Sequence, residues 1–288
     1  MKTGVLIPMM DGVETPADTI AFAREVEAMG YDYLVAYEHV IGGDPTGRPA
    51  PARGSVSHKS FLHESLTLIA FLAAATTRIE FCTEVLVSPQ RQAVLLAKQA
   101  AEIDYLSGGR LRLGIGAGWN QLEFEALNED FATRGRRMDE QIDVMRALWT
   151  QDVVEFHGRW HHIDRAGITP RPVQQPIPLW IGGDADAALR RVAAKADGWL
   201  PLIRPGSDEF LSRYAKIQTY LQEAGRDPSA LELEGQIYLA RGSRDDLEQD
   251  IAAWQALGAS HLTVRSIGTG RRAVTEHIDA LRAVRELL

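Results

Sequence analysis

Short apolar runs rich in β-branched residues alternate along this chain with longer segments that have the hydrophobic period of a helix. Between two of these runs, Leu96, Ala100, Ile103 and Leu106 fall on one helix face. Eight runs predict strands, namely Gly4–Met9, Tyr33–Tyr37, Ile79–Val87, Leu111–Gly116, Leu179–Gly182, Gly198–Pro201, Glu232–Leu239 and His261–Val264. Eight strand-then-helix units predict an α/β fold, a single (β/α)8 TIM barrel over residues 1–288. A doubly wound open sheet is the alternative, because the sequence alone does not give the strand order.

Three connections are longer than a simple barrel unit needs, so they predict insertions after strand two, after strand four and before strand five. They are Glu38–His63, Gly116–Arg134 and Gln151–Pro178. The first is a candidate lid. The third is rich in proline and is predicted to be mostly non-helical. Within it, Val153–His157 and Trp160–Ile163 predict a small hairpin.

The composition argues against several classes of binding partner and site. Lysine plus arginine number 31 and aspartate plus glutamate 39, for a net charge of −8, which argues against nucleic acid or an anionic membrane surface. One cysteine, Cys82, excludes a disulfide within the chain and a thiolate zinc cluster. The longest apolar run, Leu68–Ala75, is too short to span a membrane. We therefore expect a cytoplasmic protein that acts on a small molecule.

The residues that carry chemistry in a (β/α)8 barrel lie at the C-terminal ends of its strands. This rule selects, in chain order, Met9–Met10, Glu38–His39, Glu84–Pro89, Gly116–Asn120, Gly182–Asp184, Pro201–Arg204 and Arg265. Glu38 and His39 are an adjacent acid and imidazole that can serve proton transfer, and a purely structural role for both is the alternative.

Two of these places are dense in glycine, which lets the backbone approach a planar or phosphorylated ligand closely. Gly114–Trp119 lacks the third glycine and the ribose-binding acid of a dinucleotide fingerprint, so that interpretation is weak and a tight loop without a ligand is the alternative. Gly182 and Gly183 precede a helical pattern, whose free N–H groups suit a phosphate. Asp184 is alternatively, or in addition, a helix cap.

Arg134, Arg136 and Arg137 begin a further helical segment. They predict either a clamp for an anionic tail or a solvated cluster balanced by nearby acids. His157, His161 and His162 lack the spacing of a metal site, so no metal is expected. No G-x-S-x-G sequence is present, which argues against a serine hydrolase.

Six stretches together span much of the chain: Thr83–Arg91, Ala97–Arg110, Leu113–Trp119, Thr133–Arg137, Arg171–Pro178 and Trp180–Gly183. In this combination they resemble the bacterial luciferase-like monooxygenase superfamily, and in particular its coenzyme F420-dependent oxidoreductase branch. The resemblance implies hydride transfer between F420 and an organic substrate, and a homodimer.

Three rival functions stay open. One is a two-component FMN-dependent monooxygenase that activates O2 on reduced FMN supplied by a separate reductase. The second is a non-catalytic flavin-binding protein. The third is a metal-dependent barrel hydrolase.

The same resemblance implies roles for individual residues. A non-prolyl cis peptide, here Glu84–Val85, would back the redox ring, with Gly116, Ala117, Gly118 and Trp119 close to it. Glu38 and His39 match an Asp-His pair of F420-dependent sugar dehydrogenases. Trp119 stands where those enzymes carry a catalytic glutamate, which argues against the sugar reaction. Gly182 and Gly183 would receive the phosphate of F420, and Arg134, Arg136 and Arg137 its polyglutamate tail.

Overall fold

The computed structural model describes residues 1–46 and 56–288, in which strands alternate with helices. The strands are β1 (Lys2–Leu6), β2 (Tyr33–Ala36), β3 (Glu80–Thr83), β4 (Leu86–Val87), β5 (Leu111–Gly116), β6 (Val154–His157), β7 (His162–Ala166), β8 (Leu179–Gly182), β9 (Gly198–Leu200), β10 (Glu232–Tyr238) and β11 (His261–Arg265). The helices are α1 (Pro16–Ala28), α2 (Ser65–Ala75), α3 (Ala93–Ser107), α4 (Gln121–Ala126), α5 (Arg134–Thr150), α6 (Asp186–Lys195), α7 (Asp208–Glu223), α8 (Arg244–Ala256) and α9 (Val274–Arg285).

Local sequence signals explain where several helices begin and end. The side chain of Thr15 caps α1 by accepting from the Asp18 N–H, and Pro16 stands at the first helical position, where its missing N–H is not needed. Gly108 ends α3 with a φ of 74°, a left-handed conformation that favours glycine.

The strands close into a parallel barrel, which confirms the predicted (β/α)8 fold. β1 pairs with β2 on one side and with β11 on the other, and β3 pairs with β5 to complete the ring. The open doubly wound alternative is therefore wrong. The predicted strand Ile79–Val87 is divided into β3 and β4, and the first strand begins two residues earlier than predicted and ends at Leu6. Both β3 and β4 pair with β5, so together they form one barrel position.

The insertions lie where the sequence predicts them. β6 and β7 form the antiparallel hairpin before β8, and α4 lies in the connection after β5. The candidate lid, 38–63, includes residues 47–55, which lie outside the described residues. Among the residues that are described, no helix is both long and apolar enough to cross a lipid bilayer.

A buried ion pair fills part of the barrel interior. Arg112 Nη1 on β5 lies 2.7 Å from Glu234 Oε2 on β10, and both side chains are almost fully buried. The Arg112 guanidinium lies 4.1 Å from the centre of the Trp180 ring and 4.7 Å from that of Tyr33, within cation–π range. Thr263 donates to the other Glu234 oxygen. This cluster joins side chains from five strands, namely β2, β5, β8, β10 and β11.

Candidate functional site

A cavity of about 380 Å³ opens at the C-terminal ends of the strands, a size typical of small-molecule sites. It brings together ten residues that the sequence selects as catalytic or cofactor-binding, from four separate strand ends. They are Glu38, His39, Glu84, Val85, Gly116, Ala117, Gly118, Trp119, Gly182 and Gly183. A groove of about 610 Å³ adjoins the cavity and shares Arg134 and three alanines with it.

Val85 forms an apolar platform in this cavity. The Glu84–Val85 peptide bond is cis, as the resemblance implies. A Cβ atom on Gly116 would lie 2.6 Å from Val85 Cγ2, and one on Gly182 would lie 2.7 Å from Val85 Cγ1. These two glycines therefore make room for the Val85 side chain between them. This reason differs from the predicted one, which was close approach of the backbone to a ligand.

His39 faces the cavity and is held from behind by a buried acid. Its Nδ1 lies 2.6 Å from Glu123 Oε1 on α4, and Glu123 is almost fully buried. The Gln90 amide donates to the other Glu123 oxygen at 2.8 Å. Because a carboxylate only accepts, Nδ1 of His39 carries the proton and Nε2 is the ring nitrogen left for the cavity. Trp119 packs edge-on against the imidazole, with ring centres 5.6 Å apart.

Glu38, the other catalytic candidate, uses both carboxylate oxygens within the protein. Oε2 accepts from Arg91 at 2.6 Å, and Oε1 accepts from the Val87 N–H at 3.1 Å. Burial raises the pKa of Glu38, and the Arg91 charge opposes that rise. The acid that contacts His39 is thus Glu123 and not its chain neighbour.

The turn between β8 and α6 leaves backbone donors available beside the cavity. Gly183 has a φ of 119°, which a residue with a side chain rarely adopts. The N-cap position of α6 is Ala185 and not Asp184, and the Ala185 side chain makes no capping bond. A helix N-terminus of this kind carries partial positive charge and N–H groups suited to a phosphate.

The three arginines at the start of α5 separate in space. Arg134 lines both the cavity and the adjoining groove, and its Nε donates to the Gly118 carbonyl at 3.1 Å. Arg136 is exposed and lines the groove. Arg137 is buried, donates to the Pro89 carbonyl, and forms an ion pair with Glu129 at 2.6 Å. We therefore leave Arg137 out of the site, since its guanidinium already stabilises the loop after β4.

Two functional candidates lie in the cavity region without a role predicted from the sequence. Glu123 lies 84 residues after His39 in the chain. Its only signal in the sequence is that it precedes Phe124 shortly after the glycine-rich turn. Arg265 stands at the end of the last strand, a place that the barrel rule selects without assigning chemistry. It lines the cavity and contacts Glu84, with 2.9 Å between Nη2 and Oε1.

Comparison with known proteins finds a matching family model, relatives in sequence and solved structures of similar fold. The family model described as luciferase-like monooxygenase matches residues 1–285. An uncharacterized protein of Mycobacterium tuberculosis is 39% identical over 213 residues, 72% of each chain. An FMNH2-dependent dimethylsulfone monooxygenase of Pseudomonas fluorescens is 36% identical over 180 residues, 62% of this chain and 45% of that protein. A solved F420-dependent secondary alcohol dehydrogenase has a TM-score of 0.77 at 17% identity, covering 100% of this chain and 98% of that one.

Proposed function

The chain belongs to the luciferase-like monooxygenase family, and from that premise we propose that it is an oxidoreductase that transfers hydride between coenzyme F420 and an organic substrate. One observation carries the proposal: a single cavity is lined by the Val85 platform, the start of α6 and the His39 imidazole. A planar ring, a phosphate and a proton-transfer group need these three features side by side.

The residues present fit such a cofactor. Val85 offers an apolar surface for a flat ring, and no cation is needed at the phosphate because the start of α6 supplies N–H donors. Arg134 and Arg136 would meet an anionic tail in the adjoining groove. In that groove Arg190, Arg191 and Lys195 are already paired with acids, which leaves Arg134 and Arg136 as the groove cations without an acid partner among the described residues.

When bound, F420 supplies a ring carbon that gives or accepts hydride. The protein's own contribution is to position that ring, to exclude water and to move the accompanying proton. His39 lines the cavity and Glu123 holds its Nδ1, so Nε2 is the nitrogen through which neutral His39 would accept a proton and protonated His39 would donate one. Glu38 instead holds Arg91 and the Val87 backbone in place behind the platform.

FMN is the second candidate cofactor, favoured by the FMNH2-dependent dimethylsulfone monooxygenase among the relatives. In that case the same cavity would hold reduced FMN supplied by a separate reductase, and the bound FMN would supply the chemistry that activates O2. The adjoining groove supports F420 over FMN, because FMN has no polyglutamate tail to place there. The reductase and the homodimer stay predictions.

Equilibrium binding of the two cofactors tests the proposal. Quenching of tryptophan fluorescence is measured during titration with F420 and, separately, with FMN, each in the oxidised and the reduced state. We expect F420 to bind at least about tenfold more tightly than FMN, a difference of about 1.4 kcal/mol. A tight FMN complex with no measurable F420 affinity would overturn the choice of cofactor.

Gly183→Asp is expected to weaken F420 binding about 10- to 100-fold, since it places a carboxylate beside the proposed phosphate and a side chain where φ is 119°. The matched control is Gly225→Asp, also at a glycine of positive φ, but exposed at the end of α7. A deazaflavin without phosphate and tail should bind Gly183→Asp and the wild type alike. Unchanged F420 affinity in a folded Gly183→Asp variant would remove the phosphate site from this turn.

A further inference from the structure

Trp119 forms an apolar wall of the cavity beside His39. The two ring centres lie 5.6 Å apart at an interplanar angle of 70°, and both side chains line the cavity. A molecule that is hydrogen-bonded to His39 Nε2 therefore lies next to the indole. The indole presents a broad apolar surface and a single N–H group, which donates a hydrogen bond and cannot accept one.

The entrance to the cavity is apolar as well. Leu202, two residues after the end of β9, lines the cavity and is 65% exposed. Val40 and Ile41 directly follow His39 in the chain, and both are exposed. Exposed apolar side chains around a concave site are typical of a surface that binds an apolar molecule.

The hydrogen-bond acceptors that line the cavity are mostly engaged or buried. Glu38 is ion-paired with Arg91, and its second oxygen accepts from a backbone N–H. Glu84 is ion-paired with Arg265, and its second oxygen is buried. The Tyr37 hydroxyl is buried too. None of these oxygens is therefore presented to a molecule in the cavity.

These contacts leave His39 Nε2 as the side-chain acceptor beside Trp119. Arg134 can only donate, and Asp184 belongs to the turn before α6, where the phosphate is proposed to bind. One hydroxyl of a substrate can donate to His39, whereas a second hydroxyl near the indole finds no side-chain acceptor among the described lining residues. A hydroxyl that exchanges its hydrogen bonds to water for no partner binds unfavourably.

We propose that the substrate carries a single hydrogen-bonding oxygen on an otherwise apolar carbon skeleton, and that Trp119 selects it over polyhydroxylated analogues. The inference rests on the proposed function and names its substrate class. When such an alcohol is oxidised, its C–H bond breaks as hydride passes to F420, its hydroxyl proton passes to His39 Nε2, and a C=O bond forms. The carbon substituents lie against the indole and Leu202, where they are removed from water.

The kinetic test compares two alcohols that differ by one hydroxyl. Cyclohexanol and trans-cyclohexane-1,2-diol are oxidised with F420 by wild type, Trp119→Gln and Trp119→Phe, and kcat/KM for the first is divided by that for the second. We expect a wild-type ratio of about 10 to 100, the range for one hydroxyl in an apolar pocket. Trp119→Gln should lower the ratio about tenfold, because the amide oxygen supplies an acceptor. Trp119→Phe should keep it within about threefold, because the wall stays apolar.

A binding measurement tests the same selectivity without turnover. Both alcohols are titrated calorimetrically and without oxygen into enzyme that holds reduced F420 or, if the wild type binds that instead, reduced FMN; neither accepts hydride. If no cofactor binds, the protein alone is titrated. The ratio of dissociation constants should follow the kinetic ratio. Leu202→Gln should lower the preference for cyclohexanol about threefold, since less apolar surface is buried. Leu211→Gln, at a leucine 47% exposed on α7, is the matched control and should leave it unchanged.

An effect of Trp119 on packing alone would change both alcohols equally and leave the ratio as it is in the wild type. A wild-type ratio at or below one, or no measurable binding of cyclohexanol, overturns the inference, and so does an unchanged ratio in a folded Trp119→Gln variant. If Trp119→Gln does not fold, Leu202→Gln against Leu211→Gln decides. Selective binding of cyclohexanol by a protein that binds neither cofactor is a different result, which would refute the proposed function and leave the selectivity standing.

Discussion

Replacing His39 with alanine is expected to lower turnover about 10²- to 10⁴-fold, the contribution typical of a positioned general acid–base. Affinity for the cofactor should change little, because the proposed ring and phosphate contacts come from Val85 and the start of α6. The rate is followed by the absorbance of F420, with a substrate found by screening secondary alcohols, ketones and enones. A large loss of turnover beside a small change in affinity is the signature of proton transfer.

Two further variants make this result specific. His157→Ala removes a histidine that is 61% exposed on the β6–β7 hairpin, and we expect wild-type turnover. Glu123→Gln keeps the size of the side chain but allows either tautomer of His39, so turnover should fall about 10- to 100-fold, as when a supporting group behind a functional histidine is lost. If His39→Ala reduces cofactor affinity as much as turnover, His39 is a binding residue and the proton-transfer role is wrong.

The barrel could be predicted because its determinants are local. Each strand of a parallel barrel is buried and therefore reads as a short apolar run, and each helix shows its own period. Leu111–Gly116 and Leu179–Gly182 have the predicted bounds. Hydrophobicity does not reveal the break between β3 and β4, because the residues before it, Phe81 and Cys82, and those after it, Leu86 and Val87, are all buried. Only the resemblance to a family indicated the cis bond there.

The partner of His39 could not be predicted in the same way. Adjacency in sequence suggested Glu38, but the Glu38 carboxylate is held by Arg91 and by the Val87 N–H. Glu123 reaches His39 from an insertion 84 residues later, and its position depends on how α4 packs over the strand ends. From sequence alone, a glutamate in an amphipathic segment is predicted to be a solvated surface residue, because glutamates are rarely buried. Long-range pairing of this kind is decided by tertiary structure alone.

The basic residues at the start of α5 show the same limit of prediction from sequence. Arg134, Arg136 and Arg137 are indistinguishable as a charge cluster, yet one lines the cavity, one is exposed in the groove and one is buried on Glu129. The helical period separates their directions, because neighbouring residues on a helix differ by about 100°. The surroundings of each arginine side chain, however, are again decided by tertiary packing.

Replacing Glu234 with leucine is expected to lower the free energy of unfolding by about 3–5 kcal/mol, because it leaves the Arg112 guanidinium buried without its counter-charge. Thr263 also loses its carboxylate acceptor. Urea denaturation, followed by far-ultraviolet circular dichroism, measures the change. Since Arg112 contacts Trp180 and Tyr33 on other strands, the loss should appear as one cooperative transition at lower urea concentration.

The double variant Arg112→Met, Glu234→Leu separates an uncompensated charge from a loss of packing. With both charges replaced by apolar groups, most of the stability should return, since a buried ion pair contributes little relative to well-packed apolar side chains. If the double variant is no more stable than Glu234→Leu alone, the barrel needs the pair for its hydrogen bonds and aromatic contacts. In that case the interior of this barrel depends on polar groups to align β5 with β10, and the strand ends that carry His39, Glu84 and Arg265 depend on the same alignment.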